Sequence, residues 1–178
     1  MSVFRIYVEK KPEFAVEAQS VLSDIRTALR YEIENVRILN RYDADKLSEE
    51  VFEAAVNTVF SEPAVDVVYR EMPELKENQR VFAVEYLPGQ FDQRASSAVD
   101  CVHLIDPKAE VEIRSSKLII FDDDMTEDAL NAVRAYFINA VESRPKDLSK
   151  LSQNDTVDVK PLADMTGFIS MKPEQYAA

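Results

Sequence analysis

The spacing of apolar positions predicts an alternation of strands and helices along most of this chain. Residues 4–9 alternate apolar and charged side chains, as a strand with one covered face does. Residues 35–42 and 65–70 are predicted to form two further strands, and a helix is predicted after Ser48. The first helix is predicted from one apolar stripe, made of Phe14, Ala18, Val21, Leu22, Ile25 and Leu29. The first half is therefore predicted to have the order β-α-β-α-β.

The second half repeats this order at an offset of about 78 residues. Residues 81–87 match the first strand, and the helix with Phe91, Val99 and Val102 matches the first helix. A long or bent strand is predicted over 111–121, and a weak third strand over 140–143. The pattern predicts an α+β fold in which two internally duplicated β-α-β-α-β units form a pseudo-two-fold sheet-and-helix sandwich. Chance recurrence of a common pattern is the alternative.

Matching helix starts strengthen the argument for duplication. Ser48 and Thr126 are each followed by two acidic residues, which is typical of a capped helix start. Leu47 is placed to pack on Phe52, and Met125 on Leu130, as hydrophobic staples.

The predicted domain boundaries follow from changes in composition. Residues 1–72 form the first repeat and 81–146 the second, joined by a polar linker at 73–80. Residues 147–178 are polar at first and then carry scattered apolar side chains without a regular period. We expect this segment to be a linker or tail that leads to a further part of a longer polypeptide.

Composition narrows the function classes. The formal charge of -12 argues against a nucleic-acid partner, because phosphates would be repelled. A single cysteine excludes an internal disulfide and fits a reducing cytosol. No apolar run is long enough to cross a membrane, and the predicted strand at residue 4 leaves no room for a signal peptide. A cytoplasmic protein without a membrane partner is predicted.

One loop carries a dense set of hydrogen-bonding groups between a predicted strand and a predicted helix. Its residues are Pro88, Gly89, Gln90, Phe91, Asp92, Gln93 and Arg94. The Pro-Gly pair predicts a sharp turn. Arg94 could bind a carboxylate or phosphate. Alternatively, Asp92 caps the next helix and Arg94 pairs locally. The residue types leave both interpretations open.

No catalytic residue and no metal site is predicted. The two glycines, Gly89 and Gly167, lie too far apart to form a phosphate-binding loop. Cys101 and His103 lie two positions apart on a predicted helix and point in different directions, so they do not suggest a glutaminase site. Cys101 is predicted to be a core or near-core residue, and His103 a partly covered one. The acidic run 122–124 is predicted to be a solvated turn rather than a cation site.

The string FAVEYLPGQFDQRASSAVDC resembles a segment of the large single-chain phosphoribosylformylglycinamidine synthases of bacteria. Four other strings resemble the N-terminal region of that family, namely FRIYVEKKPEFAVEAQSVLSDIR, ILNRYD, NTVFSEPAVDVVYRE and VESR. The resemblance covers nearly the whole chain, and LPGQFDQR is its most specific part.

The resemblance implies an N-terminal domain like a fused dimer of the small PurS-like subunit. The whole enzyme would be a glutamine-hydrolysing C–N ligase of purine biosynthesis that requires ATP and Mg²⁺, with no cofactor bound by these residues. The implied partners are the synthetase core and the glutaminase domain of the same polypeptide. The loop at 88–94 would face one of them without being catalytic. The alternative is a free-standing tandem α+β module that binds a small effector between its halves.

Overall fold

The computed structural model describes residues 3–148 and has a mixed α+β fold. Its six strands are Phe4–Lys10 (β1), Val36–Asp45 (β2), Asp66–Tyr69 (β3), Arg80–Tyr86 (β4), Glu112–Phe121 (β5) and Ser143–Lys146 (β6). Its four α-helices are Val16–Asp24 (α1), Glu49–Ala55 (α2), Gln93–Ile105 (α3) and Glu127–Phe137 (α4). Single π-helical turns follow α1 at Ile25–Leu29 and α2 at Val56–Phe60.

All six strands belong to one open antiparallel sheet with the order β3-β1-β2-β5-β4-β6. The two halves of the chain meet where β2 pairs with β5, from Val36 opposite Phe121 to Asp45 opposite Glu112. Each half contributes three neighbouring strands, and its first strand lies between the other two. The predicted α+β class is confirmed, and the halves share a continuous sheet.

The four helices pack on one face of the sheet and form two apolar clusters with it. α2 and α3 cover one cluster, which contains Ile6, Val8, Phe52, Phe60 and Val102. α1 and α4 cover the other, which contains Val21, Ile25, Phe82, Phe121 and Val133. Burying one large apolar side chain contributes about 1.5–3 kcal/mol, so these two clusters supply much of the stability of the fold.

The predicted helix caps are confirmed. The Ser48 hydroxyl accepts a hydrogen bond from the backbone N–H of Val51, and the Thr126 hydroxyl accepts one from Ala129. Leu47 and Phe52 are buried in the first apolar cluster, and Met125 and Leu130 are buried together in the second, which agrees with the predicted staples. The polar side chains therefore fix where α2 and α4 begin.

Three predictions about the ends of elements are wrong. Phe91 does not belong to the helix with Val99 and Val102, because Asp92 caps that helix and α3 begins at Gln93. The third strand of the second half lies at Ser143–Lys146 rather than 140–143, and it contains Pro145. β6 is an edge strand, where a proline without an N–H is tolerated and burial is slight. Phe14 does not join the stripe of α1, because Pro12 starts a separate 3₁₀ turn, which leaves Phe14 48% exposed.

The second face of the sheet carries its own buried cluster, made of Tyr7, Leu39, Ala83, Leu118 and Ile120. No helix within residues 3–148 contributes to this cluster. Beside it, Arg41 and Asp43 form a buried ion pair at 2.7 Å, and Arg5 also donates to Asp43. Burial alone would raise the pKa of Asp43. The hydrogen bonds from Arg41 and Arg5 outweigh burial and hold that pKa below its ordinary value.

The connection from β3 to β4 spans residues 70–79 and has no regular secondary structure. The predicted linker at 73–80 lies in this connection except for Arg80, which is the first residue of β4. Gln79 near the end of the connection is buried and donates to Asp122 at the end of β5. The predicted linker and tail at 147–178 lies outside the described residues, apart from Asp147 and Leu148.

Candidate functional site

The chain turns sharply between β4 and α3, as the Pro-Gly pair predicts. The backbone N–H of Gln90 donates to the carbonyl oxygen of Leu87 at 3.0 Å, and Gly89 has a φ of 90°. Pro88 before a residue of positive φ is the pattern of a type II turn. Pro88, Gly89 and Gln90 are all exposed. The turn therefore carries the loop out from the edge of the sheet into solvent.

Asp92 ends the loop and caps α3. Its carboxylate accepts a hydrogen bond from the backbone N–H of Ala95 at 2.9 Å. It also accepts hydrogen bonds from the backbone N–H of Ser115 at 3.0 Å and from the Ser115 hydroxyl at 2.8 Å. The prediction that Asp92 caps the helix is therefore confirmed, and both of its carboxylate oxygens accept hydrogen bonds from within the protein.

Three exposed apolar side chains lie on this loop or on the segments next to it, namely Tyr86, Phe91 and Val141, and they are referred to as the apolar patch. Phe91 is 72% exposed and Val141 73% exposed. Gln90 donates through its side-chain amide to the carbonyl oxygen of Val141, and the Leu87 N–H donates to that of Glu142. Two hydrogen bonds thus hold the loop against the turn that follows α4. Exposed aromatic side chains on an anchored loop are typical of a contact surface.

Gln93 and Arg94 occupy the first turn of α3 and are exposed. Arg94 donates through Nη1 to the hydroxyl of Tyr42 at 3.1 Å. Burial would lower the pKa of Arg94, but Tyr42 and the carboxylates of Glu17 and Asp92 outweigh it and raise that pKa. Arg94 is therefore a permanent cation that reaches from α3 across to the sheet.

Gln93 and Arg94 line a cleft of about 730 Å³ between the two halves of the chain. The sheet forms its floor, where the polar residues Asn40, Tyr42, Ser115 and Lys117 lie among the apolar residues Ile38, Val84 and Ile119. In the sheet, Asn40 pairs with Lys117 and Tyr42 with Ser115. Lys117 crosses the cleft and forms an ion pair with Glu17 on α1. Pro88, Gly89, Gln90, Phe91 and Asp92 do not line the cleft, so the structure divides the predicted loop between two surfaces.

The cleft was not predicted from the sequence, although the sequence contains a signal for it. Asn40 interrupts the covered face of β2 between the apolar residues Ile38 and Tyr42. Lys117 interrupts β5 in the same way, before Ile119. Only the pairing of β2 with β5 brings these two interruptions together.

The prediction that Cys101 is a core or near-core residue is wrong, because it is exposed and lines the cleft. The buried face of α3 consists of Ala95, Ala98 and Val102, and position 101 falls beside that face. His103 is also exposed, and its Nε2 lies 3.2 Å from the carbonyl oxygen of Ala109.

The acidic run at 122–124 takes part in contacts within the protein. Asp122 accepts a hydrogen bond from the Asn35 amide at 2.9 Å as well as from Gln79, and Asp124 forms an ion pair with Arg80. Within residues 3–148, no group of three or more His, Cys, Asp or Glu side chains is arranged to hold a metal ion.

No known family model and no curated protein matches this chain. In the part of the chain that the structure describes, no helix has both the length and the apolar character that crossing a membrane requires.

Proposed function

We propose that this chain is the N-terminal, PurS-like domain of a large single-chain phosphoribosylformylglycinamidine synthase. In this role it is a non-catalytic domain that organises contacts between the synthetase core and the glutaminase domain. The proposal rests on the LPGQFDQR resemblance, and one structural observation supports it best. Phe91 is exposed on a loop whose Gln90 side chain donates to the carbonyl oxygen of Val141, and Val141 is itself exposed on the turn after α4. An apolar patch of this kind suits a permanent contact with another domain of the same polypeptide.

The proposal includes an internal duplication, for which the element boundaries give support. Arg80–Tyr86 begins 76 positions after Phe4–Lys10, and Ser143–Lys146 begins 77 positions after Asp66–Tyr69. The sheet order supports the duplication as well. If the three strands of each half are numbered separately in chain order, the sheet has the order 3-1-2-2-1-3, which is the same from either edge. If each residue of the first half corresponds to the residue 77 positions later, Asn40 corresponds to Lys117, which is also its partner in the sheet. A two-fold axis that relates the halves would therefore pass between these two residues.

The ATP and Mg²⁺ of the whole enzyme would be bound outside these residues. The described residues include one glycine, Gly89, so they offer no loop whose backbone could enclose a phosphate chain. They also hold no group of three or more His, Cys, Asp or Glu side chains arranged to bind a metal ion. Under this proposal the domain contributes no group to the amidation chemistry, and its role is to help retain ammonia by keeping the catalytic domains together.

The size of the native protein tests the single-chain proposal. An antibody raised against this chain should detect a band several times larger than 20.3 kDa in an extract of the source cells. A band at 20.3 kDa would contradict the single-chain proposal.

The contact role needs a second experiment in the full-length enzyme. Phe91→Ser should reduce glutamine-dependent amidation more than ammonia-dependent amidation, because a loosened domain contact lets ammonia escape. Leu104→Ser is the matched control, since Leu104 is 85% exposed on α3 and lies outside the patch. Equal effects of the two variants would argue against the contact role.

A free-standing tandem module that binds a small effector is the second candidate function. The cleft between the halves favours it, because both halves contribute side chains to one space. A native size of 20.3 kDa together with a saturable ligand would support this function instead.

A further inference from the structure

We propose that the cleft between the two halves binds the carboxylate or phosphate group of a small organic anion, with Arg94 as its main contact. The binding site follows from the chemistry of the cleft and holds for either candidate function, since a domain of a large enzyme and a separate module can both bind an effector.

The floor of the cleft carries polar side chains at a place where a helix-covered sheet is normally apolar. Asn40 and Lys117 lie opposite each other at the centre of the sheet, between the two apolar clusters. Apolar side chains there would let the helices close over the sheet. Polar side chains instead keep the helical layer open, and a cleft of about 730 Å³ remains. This volume lies in the range of small-molecule sites.

Hydrogen-bond donors converge on this space from both its wall and its floor. Arg94 uses Nη1 for Tyr42, and Nε and Nη2 make no further hydrogen bond within residues 3–148. A guanidinium with two free nitrogens, Nε and Nη2, presents N–H groups that match the geometry of a carboxylate or phosphate. The Asn40 amide and the Ser97 hydroxyl also line the cleft and can donate.

Three carboxylates line the cleft, namely Glu17, Glu85 and Glu142. Glu142 has no ion pair within residues 3–148, and the other two are paired. Glu17 forms an ion pair with Lys117, and Glu85 forms ion pairs with Arg144 and Lys146. Of the two cations that line the cleft, Lys117 is paired and Arg94 has no ion pair within residues 3–148, so Arg94 is the group that can bind an anion.

The position of Arg94 is fixed before a ligand arrives. Its helix begins at the Asp92 cap, and that cap is hydrogen-bonded to Ser115 on the floor of the cleft. Tyr42, which holds Nη1, is 4% exposed and lies in the apolar cluster under α2 and α3. A preorganised cation binds an anion with little loss of side-chain entropy.

Cys101 provides a direct test, since it is the single cysteine of the chain and lines the cleft. The rate of its alkylation by the neutral reagent N-ethylmaleimide would be measured in the 178-residue protein with increasing inorganic phosphate or succinate. Sodium chloride would hold the ionic strength constant. We expect saturable protection by at least one anion, together with measurable heat in titration calorimetry.

Substitutions identify the contact. Arg94→Ala should raise the half-protecting concentration about tenfold, the usual effect of losing a charge-assisted hydrogen bond. Arg94→Lys, which keeps the charge and loses the planar fork, should have an intermediate effect. Arg70→Ala is the control, because Arg70 pairs with Glu53 on the surface outside the cleft. Thermal melts would verify that each variant is folded.

Each outcome bears on the proposal. Protection by phosphate alone would identify a phosphorylated ligand, and protection by succinate alone a carboxylate. If neither anion protects Cys101 and neither gives binding heat, the proposal is overturned. An unchanged half-protecting concentration in folded Arg94→Ala would also overturn it.

Discussion

The carboxylate of Asp92 joins the start of α3 to Ser115 in the middle of the sheet. It accepts the backbone N–H of Ser115 at 3.0 Å and the Ser115 hydroxyl at 2.8 Å, while it also caps the helix through Ala95. One side chain therefore sets both where α3 begins and how α3 is seated over the cleft.

Asp92→Ala is expected to destabilise the protein by about 2–4 kcal/mol. The substitution removes a helix cap, which contributes about 1 kcal/mol, and leaves the Ser115 N–H without its acceptor, which costs about 1–3 kcal/mol. Thr126→Ala is the matched control, because Thr126 caps α4 through Ala129 alone. Urea unfolding of both variants measures the difference. An equal loss in the two variants would show that the Ser115 contact contributes nothing.

Stability is expected to fall in acid partly because Asp43 becomes protonated. Its folded-state pKa lies below the ordinary value of about 3.9. The stabilisation from the Arg5 and Arg41 hydrogen bonds is therefore fully present above that value and is lost as the pH falls through the folded-state pKa. Urea midpoints between pH 5 and pH 2 should fall more steeply for the native protein than for Asp43→Asn. Parallel profiles would contradict the assignment.

Gly89→Ala is expected to cost about 1 kcal/mol through the backbone alone. Gly89 has a φ of 90°, a conformation that L-residues adopt at a cost of about 1–2 kcal/mol. A Cβ at this position would have no atom within 4 Å, so no steric clash adds to that cost. Gly89→Asn should cost less, because Asn tolerates positive φ better. Chemical unfolding distinguishes the two variants, and a more stable Ala variant would exclude this conformation.

Truncation to alanine should have very different effects on stability at Phe91 and at Phe121. Phe91→Ala is expected to change the free energy of unfolding by less than about 0.5 kcal/mol, because Phe91 is 72% exposed. Phe121→Ala should destabilise by about 3–5 kcal/mol, because Phe121 is 0% exposed and stacks on Phe82. A large loss of stability in Phe91→Ala would show that the loop packs into the fold and is not free for a partner.

Local signals in the sequence were sufficient for most secondary structure. The caps at Ser48 and Thr126 and the long strand through 112–121 were predicted because they depend on neighbouring residues. The last strand was predicted at 140–143 and lies at Ser143–Lys146. Its position depends on pairing with β4, whose residues are about sixty positions away in the chain.

The candidate site was predicted only in part. The sequence pointed to the 88–94 loop, and it left open whether Asp92 and Arg94 are structural or functional. The structure uses Asp92 inside the fold, exposes Phe91, and directs Arg94 to a cleft that the sequence analysis did not identify. Cys101 was misplaced because helical spacing locates a buried face but does not show where neighbouring helices leave a gap.

The α+β class, the order of the elements and the starts of α2 and α4 could be predicted without coordinates, because they depend on short-range periodicity and on side chains that hydrogen-bond to nearby backbone. How the halves join, and which side chains lie between them, depends on contacts between distant parts of the chain. The pairing of β2 with β5 brings Asn40 beside Lys117 from positions far apart in the chain. Such pairing is set by the packing of the whole sheet, and no local pattern encodes it.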